Sequence, residues 1–383
     1  MDFLELMKEG DDFVPSVGQR AKKIANFDEK LTSFIDLIGN KAGYSSHWRR
    51  ALMKEAETTS DFPVLFGTVL ERTLRKNYTI DQPDWRKYVK VGTQNDFRSA
   101  YDMTLYGNRG VLAVVKEQGE YKSVPVRDGK FVTNLQKYGR AFPLSWEVII
   151  NDDLGAFDDV ANDLTQAALA SEAFGVTNLF SGPAGPNATL FGTAFAHPID
   201  GVIMTNKGTL PLTGDNIAAT ITALKSQRDY DGNPIMFNRF VLVVPAALEY
   251  KALQALSQNL LITTGMGTMT GPVTTQTSEN IVAKYPITMA VNQWLDIVDV
   301  TGNGLLTWYV FGDPTNGDAM RLNFLRGHES PEVVQKMSDK ISLGGAPISP
   351  LEGDFDSDSI KWRVRHVFGG TVTDPRYAYV QVG

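Results

Sequence analysis

The chain has 383 residues, 43% of them hydrophobic and 21% charged, with a formal net charge of −7. That size allows one large core or two smaller ones and suggests two or three domains, while the acidic balance is the reverse of what a phosphate-gripping protein carries. The lack of cysteine excludes disulfides, thiolate metal sites, Fe–S clusters and a cysteine nucleophile.

The N-terminus, MDFLELMKEGDDF, is acidic and interrupted, without the basic start and apolar core of a secretory signal. No run of about 18 apolar residues marks a transmembrane helix. The protein is expected to remain in the cytoplasm and to need no membrane.

Residues 1 to about 58 read as helical and polar. Ile24, Phe27, Leu31, Phe34, Ile35 and Ile38 recur near helical spacing, a stripe too thin to form a core alone. Pro63 and the apolar periodicity from Thr68 to Tyr78 predict a second helix, broken by Asp81 to Asp84 with Pro83.

From Tyr101 to Tyr138 the texture changes. GVLAVVKE and EYKSVPV are short β-like runs split by Gln118-Gly119, and Arg127-Asp128-Gly129-Lys130 predicts a further turn around Asp-Gly. Pro125 favours an edge strand. The result is a long, charged hairpin with little apolar surface of its own, which should lie on something else.

A long helix follows. Asn151, Asp152 and Asp153 supply a cap and acidic first-turn residues, and Leu154, Phe157, Val160, Ala161, Leu164, Ala167, Ala168 and Phe174 carry the apolar period to Phe180, before Ser181-Gly182-Pro183. At 1.5 Å per residue this spine is roughly 40 Å long.

Residues 183 to 212 are loop-rich, and Asn216 to Arg228 predicts a helix. Arg239 to Val244 is a continuous apolar run, hence a buried strand, ended by Pro245 and followed by a helix carrying Leu248, Leu253 and Leu256. This alternation argues for a compact mixed α/β domain. Ala252 to Ser278 has no charged residue. It reads either as a flexible neutral loop or as a loop packed against copies of itself around a symmetry axis. Thr307 to Phe311 and Met320 to Leu325 predict strands joined by Asp313-Pro314-Thr315-Asn316-Gly317. Ile360 to Phe368 alternates as a half-buried strand.

Candidate chemistry is sparse. His47, His197, His328 and His366 do not sit at metal-ligand spacing and read as surface or strand residues. Thr264-Gly265-Met266-Gly267-Thr268-Met269-Thr270-Gly271 matches neither the dinucleotide fingerprint nor the P-loop, and there is no Gly-x-Ser-x-Gly elbow. Asp152-Asp153 is accounted for by the helix dipole, and Asp158-Asp159 with Asp163 by a solvated or inter-subunit face. Asp354-Phe355-Asp356-Ser357-Asp358 lacks the EF-hand glycine and terminal glutamate and reads as a turn. No catalytic, cofactor-binding or metal-binding residue is assigned, and no enzyme activity is expected. What remains is a set of elements that cannot bury themselves, whose natural partners are other copies of the chain.

Three segments carry a resemblance: Tyr138-Gly139-Arg140-Ala141-Phe142-Pro143-Leu144-Ser145-Trp146-Glu147 running to Ile150-Asn151-Asp152-Asp153-Leu154-Gly155-Ala156-Phe157; Thr307-Trp308-Tyr309-Val310-Phe311-Gly312-Asp313-Pro314 with Phe324-Leu325-Arg326-Gly327-His328-Glu329-Ser330-Pro331; and Trp362-Arg363-Val364-Arg365-His366-Val367-Phe368-Gly369 ending in Asp374-Pro375-Arg376. Asp61-Phe62-Pro63 and Leu190-Phe191-Gly192-Thr193-Ala194-Phe195 are weaker matches in the same order. Together they resemble the major capsid proteins of tailed bacteriophages, in particular the Mu-like major head subunits.

The resemblance implies an α+β, HK97-like capsid fold: an N-terminal helical arm over residues 1–100, an extended E-loop hairpin over 101–138, a peripheral domain with the spine helix over 139–212, an axial domain over 213–319, and the peripheral domain's C-terminal strands over 320–383. It implies self-assembly into pentamers and hexamers of an icosahedral shell around double-stranded DNA that is not bound sequence-specifically. It also implies a portal, a scaffold and, in many relatives, a protease or decoration protein as partners. Some relatives link an E-loop lysine to a neighbour's asparagine. Lys116, Lys122 and Lys130 are available here, but Ser359 to Gly383 contains no asparagine, so no such cross-link is expected. An encapsulin-like compartment shell of the same fold, enclosing cargo protein, is the alternative. A soluble hydrolase, which would need a convergent set of titratable groups in a pocket, is the third reading.

Overall fold

The computed structural model describes residues 74, 78 and 83–383, apart from 107–111, 113, 118–120, 122–126, 146–154, 198–200, 230–231, 258–259, 265–274, 316, 337, 341–342, 344–353 and 358. The expected helices before residue 74, the Asn151 to Asp153 cap and the glycines of Gly265 to Gly271 lie outside the described residues. Leu74 and Tyr78 are helical, one turn apart on the same helix face.

In chain order the elements are β1 (Lys90–Gln94), β2 (Ala100–Tyr106), β3 (Arg127–Thr133), β4 (Gln136–Ser145), α1 (Gly155–Phe180), β5 (Ser181–Gly182), β6 (Gly185–Pro186), β7 (Phe195–Ala196), β8 (Ile203–Met204) and β9 (Lys207–Gly208). Then follow α2 (Gly214–Lys225), β10 (Phe240–Val244), α3 (Glu249–Ser257), β11 (Leu260–Thr264), β12 (Thr275–Glu279), β13 (Ile287–Val291), α4 (Leu295–Val298), β14 (Trp308–Gly312), β15 (Met320–Leu325), β16 (Glu332–Gln335), β17 (Ser359–Val372) and β18 (Ala378–Gln381). Helix and strand are mixed along the chain. The chain divides into two compact units, one of residues 1–81, 137–169 and 330–366, the other of residues 82–136, 170–329 and 367–383.

In the first unit, β16 runs antiparallel to the 359–366 part of β17, from Glu332↔Arg365 to Gln335↔Trp362, and β4 also pairs with β17. The alternation expected over this strand holds: Trp362, Val364 and His366 are buried, while Lys361 and Arg363 are exposed. Val364 packs with Leu74 and Leu164, flanked by Phe142 and Val333. Each such side chain contributes roughly 1.5–3 kcal/mol when fully buried.

In the second unit a five-stranded sheet has the order β13-β10-β14-β18-β9. β10 is parallel to β13 and antiparallel to β14; β14 is antiparallel to β18, which is parallel to β9. All five residues of β10 are buried, as an unbroken apolar run requires of a strand covered on both faces. On one face Phe240, Leu242, Val244, Trp308 and Val310 pack with Ile217, Ile221 and Leu224 of α2 and with Ala252 and Leu256 of α3. On the other, Tyr309 and Phe311 meet Phe180 edge-on at centroid distances of 4.9 and 5.5 Å, and Tyr88 stacks on Phe311 at 5.1 Å. Three layers thus share one core. Separately, β1 runs parallel to β15, which is antiparallel to the 368–372 part of β17.

The spine helix α1 spans 26 residues and ends at Phe180, as the sequence indicates. Gly185 has φ of 93°, which turns the β5–β6 hairpin back so that Asn187 can serve the helix end. Its amide Nδ2 donates to the Leu179 carbonyl at 2.8 Å and its backbone N–H to the Phe180 carbonyl at 3.0 Å. Two carbonyls without intrahelical donors are satisfied in this way.

Several expectations are corrected. Phe174 is 42% exposed, because it lies two residues, about 200° of helix rotation, from buried Val176; its ring makes a T-shaped contact with Trp294 at 5.4 Å between centroids. Leu253 is likewise on the outer side of α3. The helical arm over 1–100 does not extend to Lys90–Gln94, which is a strand. Asp128 and Gly129 are not a turn but lie within β3, opposite Leu105 and Thr104. The turn signal lost because Tyr101 to Leu105 offers a longer pairing partner than the residues beside it. The uncharged stretch is not simply a loop: β11 and β12 form an antiparallel ribbon from Leu260↔Glu279 to Thr264↔Thr275, since β-branched threonines suit strands despite their polarity. The strands around 308–312 and 320–325 exist but belong to different sheets.

Candidate assembly surfaces

The hairpin pairs Ala100↔Thr133 through Tyr106↔Arg127. Tyr101 lies opposite Val132 and Met103 opposite Lys130, which makes Lys130 the diagonal neighbour of Tyr101; its ammonium sits 3.5 Å above the tyrosine ring centroid. Lys116 is exposed, and Lys122 lies outside the described residues. Between the strands, Leu112, Val114 and Tyr121 are 92%, 97% and 84% exposed. No packing among the described residues covers them, and each would gain roughly 1.5–3 kcal/mol on burial.

A second apolar surface is formed by the segment between β13 and β14. Here Ile297, Val300, Leu305 and Leu306 are exposed although their segment is tightly folded. Asp299 accepts from the Thr301 N–H at 3.0 Å, Thr307 N–H donates to the Asn303 carbonyl at 2.8 Å, and a Cβ on Gly304 would stand 2.9 Å from the Asp299 carbonyl oxygen. No periodicity in the sequence marks these residues as exposed. Gly302 and Asn303-Gly304 were available as a turn signal, but the apolar residues beside them look like core. A third surface is the outer side of α3, where Tyr250 is 75% exposed and Leu253 is exposed beside Lys251.

Buried polar side chains act as internal pins. Asn206 donates to the carbonyls of Leu190 at 2.7 Å and Pro375 at 3.0 Å and accepts from the Gly192 N–H at 2.9 Å. Asn292 donates to Thr177 Oγ1 at 2.8 Å and lies 3.5 Å from the Tyr88 hydroxyl. His197, read as a surface or strand residue, is buried with Nε2 3.1 Å from Asp374 Oδ1. Asp374 in turn accepts from the Arg376 N–H at 2.9 Å. Burial pushes the Tyr88 and Tyr309 phenols far above the ordinary tyrosine range.

The other sequence candidates do not converge. His366 is buried in β17 against the edge of Tyr78, His328 is half-buried, and His47 lies outside the described residues. Asp163 is exposed on α1. Asp354 is occupied by Lys361, whose ammonium, with the Ser357 hydroxyl, holds the carboxyl well below the usual carboxylate range; it is a turn, as read. Among the described residues no group of three or more His, Asp or Glu could hold a metal ion.

Similar solved structures share low identity and modest overlap. The capsid of cyanophage P-SCSP1u is 12% identical, with TM-score 0.44, over 78% of this chain and 87% of that one. Mycobacterium phage Patience is 11% identical, with TM-score 0.44, over 83% and 87%. A virus-like particle from Pyrococcus furiosus is 11% identical, with TM-score 0.40, over 82% and 99%. No curated protein matches the chain. The family described as phage capsid protein matches residues 130–381, from the last strand of the hairpin through β18. The chain therefore belongs to the phage capsid protein family and is a structural, shell-building protein of a bacteriophage virion.

Proposed function

We propose that this chain is the major head subunit of a tailed, Mu-like phage, with an HK97-type fold, and that it assembles in the host bacterial cytoplasm into pentamers and hexamers of an icosahedral shell around double-stranded DNA. In this reading the arm over neighbouring subunits is confined to the residues before about 83, since Tyr88 and β1 pack within the second unit, and 101–138 is an E-loop. Residues 139–212 and 320–383 form the peripheral domain and 213–319 the axial domain. Its partners are its own copies, a portal, a scaffold, and a protease or decoration protein. The observation that carries the reading is the hairpin with Leu112, Val114 and Tyr121 almost wholly exposed, an apolar surface that a neighbouring copy would bury. The net charge of −7 suits a wall that must release DNA as readily as it encloses it.

Electron microscopy of the purified protein is the test. Closed icosahedral particles are expected from the natural sequence, and folded but unassembled protein from a Leu112→Ser, Val114→Ser, Tyr121→Ser variant. A variant that forms normal particles would remove the E-loop assignment. Particles from phage-producing cells that hold protein cargo and no DNA would favour a compartment shell.

A further inference from the structure

Two exposed surfaces of the second unit lie on opposite layers of the same three-layer stack. α3 covers one face of the sheet through Ala252 and Leu256, so its outer side, with Tyr250, Lys251 and Leu253, faces away from the sheet. The lobe between β13 and β14 belongs to the other layer. Its Trp294 meets Phe174 of α1 at 5.4 Å, its Asn292 bonds Thr177, and α4 lies against β5. The lobe's exposed side chains between 295 and 306 are apolar or neutral except Asp296. The outer side of α3 carries one cation, Lys251, beside its two apolar residues; Glu249, also exposed, sits in the first turn of α3, where the helix dipole favours it.

Surfaces that match in apolar character and offer a single lysine to a single aspartate, Lys251 and Asp296, yet sit on opposite sides of one unit, cannot meet within a chain. They can meet head-to-tail between chains, and a repeated head-to-tail contact closes into a ring when the rotation allows. Resting on the shell reading, we propose that the outer side of α3 in one copy docks on the 295–306 lobe of the next copy around a capsomer. Tyr250 and Leu253 pack against Ile297 and Val300, and Lys251 pairs with Asp296. The partner is a second copy of this chain.

Charge reversal tests the pairing. Lys251→Asp and Asp296→Lys, each alone, are expected to lower the fraction of subunit in particles about tenfold through like-charge juxtaposition, with an unchanged far-UV circular dichroism spectrum. The double reversal is expected to restore assembly. Because the chain has no cysteine, a Leu253→Cys, Ile297→Cys variant gives a second readout: oxidised particles should yield a ladder of disulfide-linked oligomers on a non-reducing gel. Particles that tolerate both single reversals, a double reversal that does not recover, or oxidised particles without the ladder would each overturn the contact while leaving the shell reading intact. Natural-sequence protein that never forms particles would instead sink the shell reading, and this contact with it.

Discussion

Tyr88 and Tyr309 place two neutral phenols inside the second unit, and burial keeps them neutral. Their folded-state values lie above the unfolded one, so they cost nothing below about pH 10. Above it the unfolded chain ionises and the folded chain cannot, and stability falls as pH rises. Alkaline titration followed at the phenolate absorbance should show these residues ionising together with unfolding, after the exposed tyrosines. Tyr88→Phe with Tyr309→Phe should move the unfolding to higher pH, and an unmoved transition would assign it to other groups. At this scale the sequence is least legible. His197 finds Asp374 across 177 residues and Asn206 finds Pro375 across 169, and no local pattern announces a partner so far away. Asp354, whose partners Ser357 and Lys361 lie within one turn and strand start, could be read correctly as a turn.

Elements with a strong period were legible. α1 ends where its apolar period ends, β10 is buried as its unbroken run demands, and β17 alternates as written. Elements fixed by pairing were not: Asp128-Gly129 looks like a turn and is a strand, because a strand's fate depends on what lies beside it. α1 also carries the clearest test. Ala161 is inside it, and Ala161→Pro removes one helix hydrogen bond and clashes with the preceding turn, at a cost of about 3 kcal/mol or more. Insoluble or unfolded protein is expected, measured by thermal melting beside Ala161→Ser, which should stay folded. A soluble, assembly-competent proline variant would contradict the role of α1 as a spine.

For the whole molecule, the family was legible in three collinear segments, all of which fall within residues 130–381. The two compact units were only partly legible, because each gathers three separate stretches of chain. Shell strength is the property to test at this scale. Ser359 to Gly383 offers no asparagine, and Lys130 is engaged on Tyr101. Particles boiled in denaturant should therefore run as a single monomer band, and a ladder of covalent oligomers would refute this. One further consequence comes from the sheet order. β18, residues 378–381, sits between β14 and β9, so β9 has no partner in that sheet until the ribosome has translated a strand made long after it. A nascent chain therefore emerges with its central sheet incomplete. Any contact between copies that needs the complete sheet waits until synthesis has passed β18, which separates the timing of translation from that of assembly.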